Sequence, residues 1–158
     1  MQKEVLIAGA GVIGCLLGKS LKKKNISFKI LEKNPQPFKN PSRTVALTSD
    51  SIRFLNTVDS KLDLNAWATP VNSMNLFQDA AQALSLDSDQ EKISSICALD
   101  DLHEKLLNDL NDDISWDTAI NSMNNDKLIE VSTSNGNYSG KIIIASDGTS
   151  SKIRELSG

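Results

Sequence analysis

The chain has 158 residues, of which 39% are hydrophobic and 23% charged, and its 17 basic side chains against 20 acidic ones leave a formal net charge of -3. That balance excludes a disordered polyelectrolyte and fits one globular domain with a buried core. The one basic run, Lys22 to Lys24, falls at the end of an expected helix, where cations suit the dipole, so no nucleic-acid surface is indicated.

Val5 to Ala8 is a continuous apolar run, as expected of a strand buried on both faces of a parallel sheet. It leads into Gly9, Gly11 and Gly14, and Val12, Ile13, Leu16, Leu17 and Leu21 then recur at the spacing of a helix that Asn25 ends. Ile26 to Glu32 reads as the next strand, completing a βαβ unit within about 30 residues. Pro35, Pro37 and Pro41 predict an irregular stretch as far as Leu47. A helix follows with Ile52, Leu55 and Val58 on one face, and residues 71–86 read as two short strands. Leu99, Leu102, Leu106, Leu107 and Leu110 stripe another helix, at whose start Asp101 and Glu104 predict a capping box. Residues 128–133 and 138–141 flank Asn135-Gly136 and predict a hairpin. A second buried strand, Ile142 to Ala145, then runs into Asp147-Gly148. The alternation is that of an α/β fold with an antiparallel excursion.

Gly9-x-Gly11-x-x-Gly14, between a strand and a helix, is the pattern that receives the pyrophosphate of an adenine dinucleotide. The first glycine permits the tight turn, the second lets backbone approach the phosphates, and the third lets helix press on strand. Gly18 extends that smooth face by a turn. Glu32 ends the second strand near the expected offset of ~20 residues, where its carboxylate can accept both ribose hydroxyls. It would repel a 2′-phosphate, which disfavours NADP as the resident ligand. These residues do not separate NAD from FAD, because both share the same adenosine diphosphate half.

Two later segments carry a resemblance that does. "SRTVALTSDSIRFLNTVDSKLDLNAW" offers Arg43, Ala46, Leu47, Ser51, Leu55 and Trp67 in order, and "ASDGTSSKIRE" offers Asp147, Gly148, Ser151 and Arg154. With the glycine loop, these residues resemble the flavin-dependent aromatic hydroxylases of ubiquinone biosynthesis, within the p-hydroxybenzoate-hydroxylase-like group. Ser146 departs from the alanine more usual there. The resemblance touches residues 3–33, 42–67 and 128–155. It implies a Rossmann-like FAD-binding domain, a parallel sheet with an antiparallel β-meander, and a small β excursion belonging to an incomplete substrate domain. It further implies that Asp147 bonds the ribose next to the flavin's pyrophosphate, with Gly148 allowing close packing, and that Arg43 contacts phosphate in bidentate fashion. The reaction it implies uses reduced nicotinamide, NADH or NADPH, to reduce FAD, after which oxygen is transferred to a phenolic or prenylated quinone precursor.

The candidate cofactor-binding set is therefore Gly9, Gly11, Gly14, Glu32 with its neighbour Lys33, Arg43, Asp147 and Gly148. No catalytic side chain and no metal ligand is assigned. The expected organisation places the FAD-binding domain in residues 1–68 and 99–158, with 69–98 a fragment of the substrate-binding region. Members of the resembled family continue for more than as much again, so the chain reads as an N-terminal part. His103, the only histidine, is expected to face solvent, Trp67 and Trp116 to pack, and Asp100 and Asp101 to make no flavin contact. Cys15 and Cys97 lack CxxC spacing and suggest neither zinc nor a disulfide framework. No cleavable leader is expected, because the apolar run at Val5 is broken by glycines, and no run approaches the roughly 20 apolar residues of a membrane span. The expected setting is cytoplasmic, with peripheral attachment at the inner membrane left open. Two other readings stay open: an NAD-dependent dehydrogenase, in which Asp147-Gly148 has no task, and a non-catalytic dinucleotide-binding module.

Overall fold

The computed structural model of the chain describes residues 2–35, 43–79, 81–88 and 92–158. Pro37 and Pro41 of the expected irregular stretch lie outside them. The strands are β1 (Gln2–Ala8), β2 (Phe28–Leu31), β3 (Thr44–Thr48), β4 (Thr69–Val71), β5 (Ser73–Gln78), β6 (Ala81–Asp87), β7 (Ser94–Ala98), β8 (Ile114–Ser115), β9 (Ile120–Asn125), β10 (Ile129–Thr133) and β11 (Gly136–Ala145). The α-helices are α1 (Val12–Lys23), α2 (Ser49–Val58), α3 (Leu99–Leu107) and α4 (Lys152–Ser157). None of the described helices is long and apolar enough to cross a membrane. By contacts the chain divides into two units, Met1–Lys39 with His103–Gly158, and Asn40–Leu102. That boundary groups residues 40–68 with 69–98, because β3 pairs along its whole length with β7.

The first unit is built on a six-stranded sheet in the order β8-β2-β1-β11-β10-β9. Strand β1 is central and runs parallel to both neighbours, with Val5 opposite Phe28 on one side and Ile142 on the other. The hairpin forms, but its two-residue turn is Ser134-Asn135, one residue before the expected Asn135-Gly136, because Gly136 already pairs with Thr133 and takes φ +115°. Its second arm does not stop before the strand at Ile142. It continues as one ten-residue strand, antiparallel to β10 over its first half and parallel to β1 over its second.

Helix α1 lies against this sheet by a different face from the one its leucines suggest. Its buried residues are Gly14, Cys15, Gly18 and Lys19, whereas Val12, Leu16, Leu17 and Leu21 are only half-buried and Ile13 is exposed. The cause is distance. A side chain at Gly18 would stand 3.0 Å from Ile30 and 3.1 Å from Phe28, so the helix comes close through its small residues. Across the sheet, Leu6, Leu31 and Val131 form a buried cluster with Ile120, Met123, Tyr138 and Ile143 packed around it. Each such fully buried aliphatic side chain contributes about 1.5–3 kcal/mol.

In the second unit, β3, β7 and β4 form an antiparallel sheet, and β5 with β6 a separate two-stranded one. Strand β3 falls inside the stretch expected to be irregular. Its residues Thr44 and Val45 are β-formers, and β7 supplies the partner across some 50 residues of sequence. Thr48 caps α2 by accepting from the Ser51 N–H at 3.2 Å, and Ile52 and Leu55 are its buried positions. The capping box expected at Asp101 and Glu104 does not form, because α3 already begins at Leu99 and leaves Asp101 inside the first turn.

Candidate functional site

The carboxyl ends of β1, β2 and β11 converge on a cleft of about 510 Å³ built wholly from the first unit. In an open parallel sheet such a crevice lies where the chain, having left β1 for a strand on one side, returns to a strand on the other. Here those strands are β2 and β11.

Three glycines shape its floor, each in a different way. Gly9 has φ +96°, and a Cβ there would stand 2.6 Å from the Ser146 carbonyl oxygen. Gly14 would drive a Cβ to 2.0 Å from the Gly9 carbonyl oxygen. Gly11 has an ordinary φ of -68°, and a Cβ would meet no protein atom within 4 Å. Its glycine is therefore not needed for the fold; the missing side chain leaves open space over the loop. Gly11 also caps α1 without a side-chain hydrogen bond, and no acidic residue sits in the first turn. The N-terminal N–H groups and the positive end of the dipole thus remain free for an anion.

Glu32 is buried at the edge of the cleft. Its Oε2 accepts from the Ala10 N–H at 2.8 Å, and its Oε1 accepts from the backbone N–H and side-chain amide of Asn34 at 2.9 and 2.6 Å. Both acceptor sites of Oε1 are thus taken, and Oε2 keeps capacity for one further donor. Ser146, the departure from alanine, ties the two strand ends together: its hydroxyl donates to the carbonyls of Ala8 and Gly9, at 2.7 and 3.0 Å.

Asp147 follows at the end of β11. Its Oδ2 accepts from the N–H groups of Lys152 and Ile153, at 2.6 and 3.3 Å. Burial works against its charge, but the Ser151 hydroxyl and the N–H groups of Ile153, Asp147 and Lys152 outweigh it and hold the carboxyl below the usual aspartate value. Its other oxygen, Oδ1, is buried with no partner among the described residues. Gly148 takes φ +83°, which lets the chain turn away directly behind this carboxylate.

Gly9, Gly11, Glu32, Lys33, Asp147 and Gly148 all line this one cleft, and Gly14 supports it from behind. Arg43 does not line it; it is exposed at the start of the second unit's sheet, where its carbonyl accepts from the Leu99 N–H at 2.9 Å. His103 is not on the solvent face. It is half-buried with Nε2 2.6 Å from the Ala10 carbonyl oxygen, because burial of Leu102 and Leu106 turns that side of α3 inward. Trp67 is half-buried and donates to the Leu62 carbonyl at 3.0 Å, a packing role, and Trp116 is half-buried too. Among the described residues no cluster of His, Cys, Asp and Glu could hold a metal. Sequence reasoning missed Thr118, Ala119 and Ile120, which form the wall facing Glu32, and Ser150 and Lys152 beside Asp147. Ser151, which caps α4 by accepting from the Arg154 N–H at 3.1 Å, is the signal that could have located the second pair.

The open space over Gly11, the uncapped helix end and the orphaned Asp147 Oδ1 fit a long dinucleotide with a pyrophosphate and a further hydroxyl beyond it. A family model described as FAD binding domain matches residues 2–158, and the chain belongs to that family. No curated protein is similar to it in sequence. Among solved structures, 2,6-dihydroxypyridine-3-hydroxylase from Arthrobacter nicotinovorans has a TM-score of 0.80 at 16% identity, covering 98% of this chain and 39% of that one. The p-nitrophenol 4-monooxygenase of Pseudomonas putida DLL-E4 has a TM-score of 0.80 at 19% identity, covering 99% of this chain and 44% of that one. A Diels-Alderase of pyrroindomycin biosynthesis has a TM-score of 0.81 at 18% identity, covering 99% and 34%. The chain thus spans less than half the length of these structures, with which it shares the fold. Its cofactor is FAD.

Proposed function

We propose that this FAD-binding chain is the cofactor-holding part of a flavin-dependent monooxygenase that hydroxylates a phenolic ring. The substrate in this reading is a ubiquinone precursor and the electron source is NADH or NADPH. The carrying observation is the convergence of the glycine loop, Glu32 and the unpartnered Asp147 Oδ1 on one cleft. Two of the fold neighbours are named as a hydroxylase and a monooxygenase of small aromatic rings, and the resemblance at Arg43 and Asp147-Gly148 points the same way.

When bound, FAD supplies the redox chemistry, and the protein's part is to bind, orient and shield. The Gly11 N–H and the first turn of α1 receive the pyrophosphate. Glu32 receives a ribose hydroxyl on Oε2 while it keeps hold of Ala10, and Lys33 stands beside it for the adenosine. Asp147 Oδ1 accepts a hydroxyl further along, and Thr118 to Ile120 keep water from the adenosine side. Arg43 contacts the flavin half, residues 1–68 and 99–158 serve the cofactor, and 69–98 serve the substrate. The cytoplasmic setting, peripheral at the inner membrane, belongs to this reading through the lipophilic tail of a prenylated substrate.

The test is to titrate the chain with FAD and with NAD, then follow reduced-nicotinamide oxidation and oxygen incorporation with a quinone-precursor phenol in a chain extended to the length of its fold neighbours. FAD binding with a product one oxygen heavier supports the reading. A second reading, favoured by the Diels-Alderase neighbour, is a flavin-binding chain without oxygen transfer. FAD binding with no oxygenated product selects it.

A further inference from the structure

The one histidine of the chain reaches the cofactor loop from behind. His103 Nε2 lies 2.6 Å from the Ala10 carbonyl oxygen. A carbonyl oxygen only accepts, so Nε2 carries the proton and donates. Ala10 is 1% exposed and does not line the cleft, whereas the next residue, Gly11, does. The Ala10 carbonyl and the Gly11 N–H share one trans peptide and point in opposite directions across its plane. Fixing the carbonyl toward His103 therefore aims the Gly11 N–H away from His103. That N–H has no partner among the described residues.

The peptide before it is held from both ends as well. The Gly9 carbonyl accepts from Ser146 at 3.0 Å, and the Ala10 N–H donates to Glu32 at 2.8 Å. The Ala10–Gly11 peptide has His103 for the same purpose. The Cys15 thiol also approaches the Ala10 carbonyl, at 3.2 Å, but a thiol is a weak donor. His103 sits between Leu102 and Leu106, which are 2% and 0% exposed, so α3 cannot roll it out of reach.

We propose that His103 is a positioning residue: through the Ala10 carbonyl it sets the plane of the Ala10–Gly11 peptide, and with it the direction in which the Gly11 N–H is offered to the FAD pyrophosphate. This rests on the reading that the cleft takes FAD. His103 touches neither cofactor nor substrate in this role, and its effect passes wholly through the loop.

The experiment compares the 158-residue chain with His103→Leu, which cannot donate, and His103→Gln, whose side-chain amide can. Three quantities are read: the nitrogen and proton shifts of the Gly11 amide without ligand, FAD affinity by titration, and Tm without ligand. His103→Leu should move the Gly11 amide signal and weaken FAD about five- to tenfold, the worth of one lost hydrogen bond. His103→Gln should restore both, with affinity within about twofold of the unaltered chain. An unmoved Gly11 amide in His103→Leu overturns the proposal, and so does a lowered Tm with unchanged affinity, which marks packing alone. Failure of the glutamine variant to restore the amide signal at native Tm overturns it too. If the unaltered chain does not bind FAD, the cofactor reading fails, and the Gly11 amide still decides what His103 does.

Discussion

The carboxylate of Glu32 and the backbone N–H of Ala10 meet at 2.8 Å across 22 residues of sequence, so the acid at the end of β2 holds the loop at the end of β1 before any ribose arrives. Glu32 is 9% exposed and Ala10 1%, which makes the bond a buried, charge-assisted one. Glu32→Ala should therefore cost stability as well as affinity. The expected loss is about 1–3 kcal/mol of unfolding free energy, the penalty for leaving a buried N–H unpaired. Chemical denaturation without cofactor measures it, and a variant as stable as the unaltered chain would show that Glu32 acts on the ribose alone.

Two glycines three residues apart should behave oppositely on gaining a methyl group. In Gly14→Ala the new carbon is driven onto the Gly9 carbonyl oxygen, so the fold should lose about 1–3 kcal/mol or more. In Gly11→Ala it meets no protein atom and the backbone is unstrained, so Tm should hold while FAD affinity falls about tenfold. Melting curves and FAD titrations of the pair check the split. Unchanged FAD affinity in Gly11→Ala would place the pyrophosphate elsewhere.

Asp147 sets an acid limit on the site. Its folded carboxyl titrates below the ordinary value of 3.8, held there by hydrogen bonds that outweigh burial. A depressed carboxylate contributes stability that is complete above the unfolded value and is lost as pH falls through the folded one. The stability gap between the unaltered chain and Asp147→Asn should therefore be constant near neutrality and close below pH 3.8. Urea midpoints across that range measure it, and a gap that stays open in acid would assign the difference to packing.

Cys15 should be chemically silent while the chain is folded. Burial pushes its thiol up to about 12, and it is 0% exposed, so almost none of the reactive thiolate exists near pH 8. Labelling with a disulfide reagent should then follow the rate of global unfolding. Prompt labelling of Cys15 under native conditions would mean that the glycine loop and α1 open on their own.

The βαβ unit was legible because its signals are local and chemical: an apolar run, glycines at fixed offsets and an acid at the next strand's end. The buried face of α1 was not, since leucines at helical spacing outweigh glycines on any hydrophobic count. Gly14 and Gly18 face inward because the sheet is too near for anything larger, a fact that resides in Ile30 and Phe28. Strand β3 hid for a related reason, its partner β7 lying beyond three other strands. Asp147 was found by motif and then located beside Gly9 by a single pairing, Ala8 with Ala145. The wall at Thr118 to Ile120 carries no residue-type signal. It is held in place by Asn135, whose side-chain amide donates to the Asp117 carbonyl at 2.7 Å from the hairpin tip.

Strand β11 gives the chain a timetable. The glycine loop leaves the ribosome long before the residue whose hydroxyl clamps it to Ala8, which lies 138 positions later. Until that residue arrives, β1 has one open edge and the loop lacks Ser146 behind it. The hairpin at Ser134-Asn135 closes locally and quickly, and it delivers β11 already aligned for its slow, long-range parallel pairing. A slip of one residue in that turn would carry Asp147 about 3.3 Å along the sheet and send its side chain to the opposite face. A nascent chain interrupted before residue 146 should thus remain bound to chaperones, and one released just beyond residue 153 should be the shortest to acquire resistance to protease at the loop.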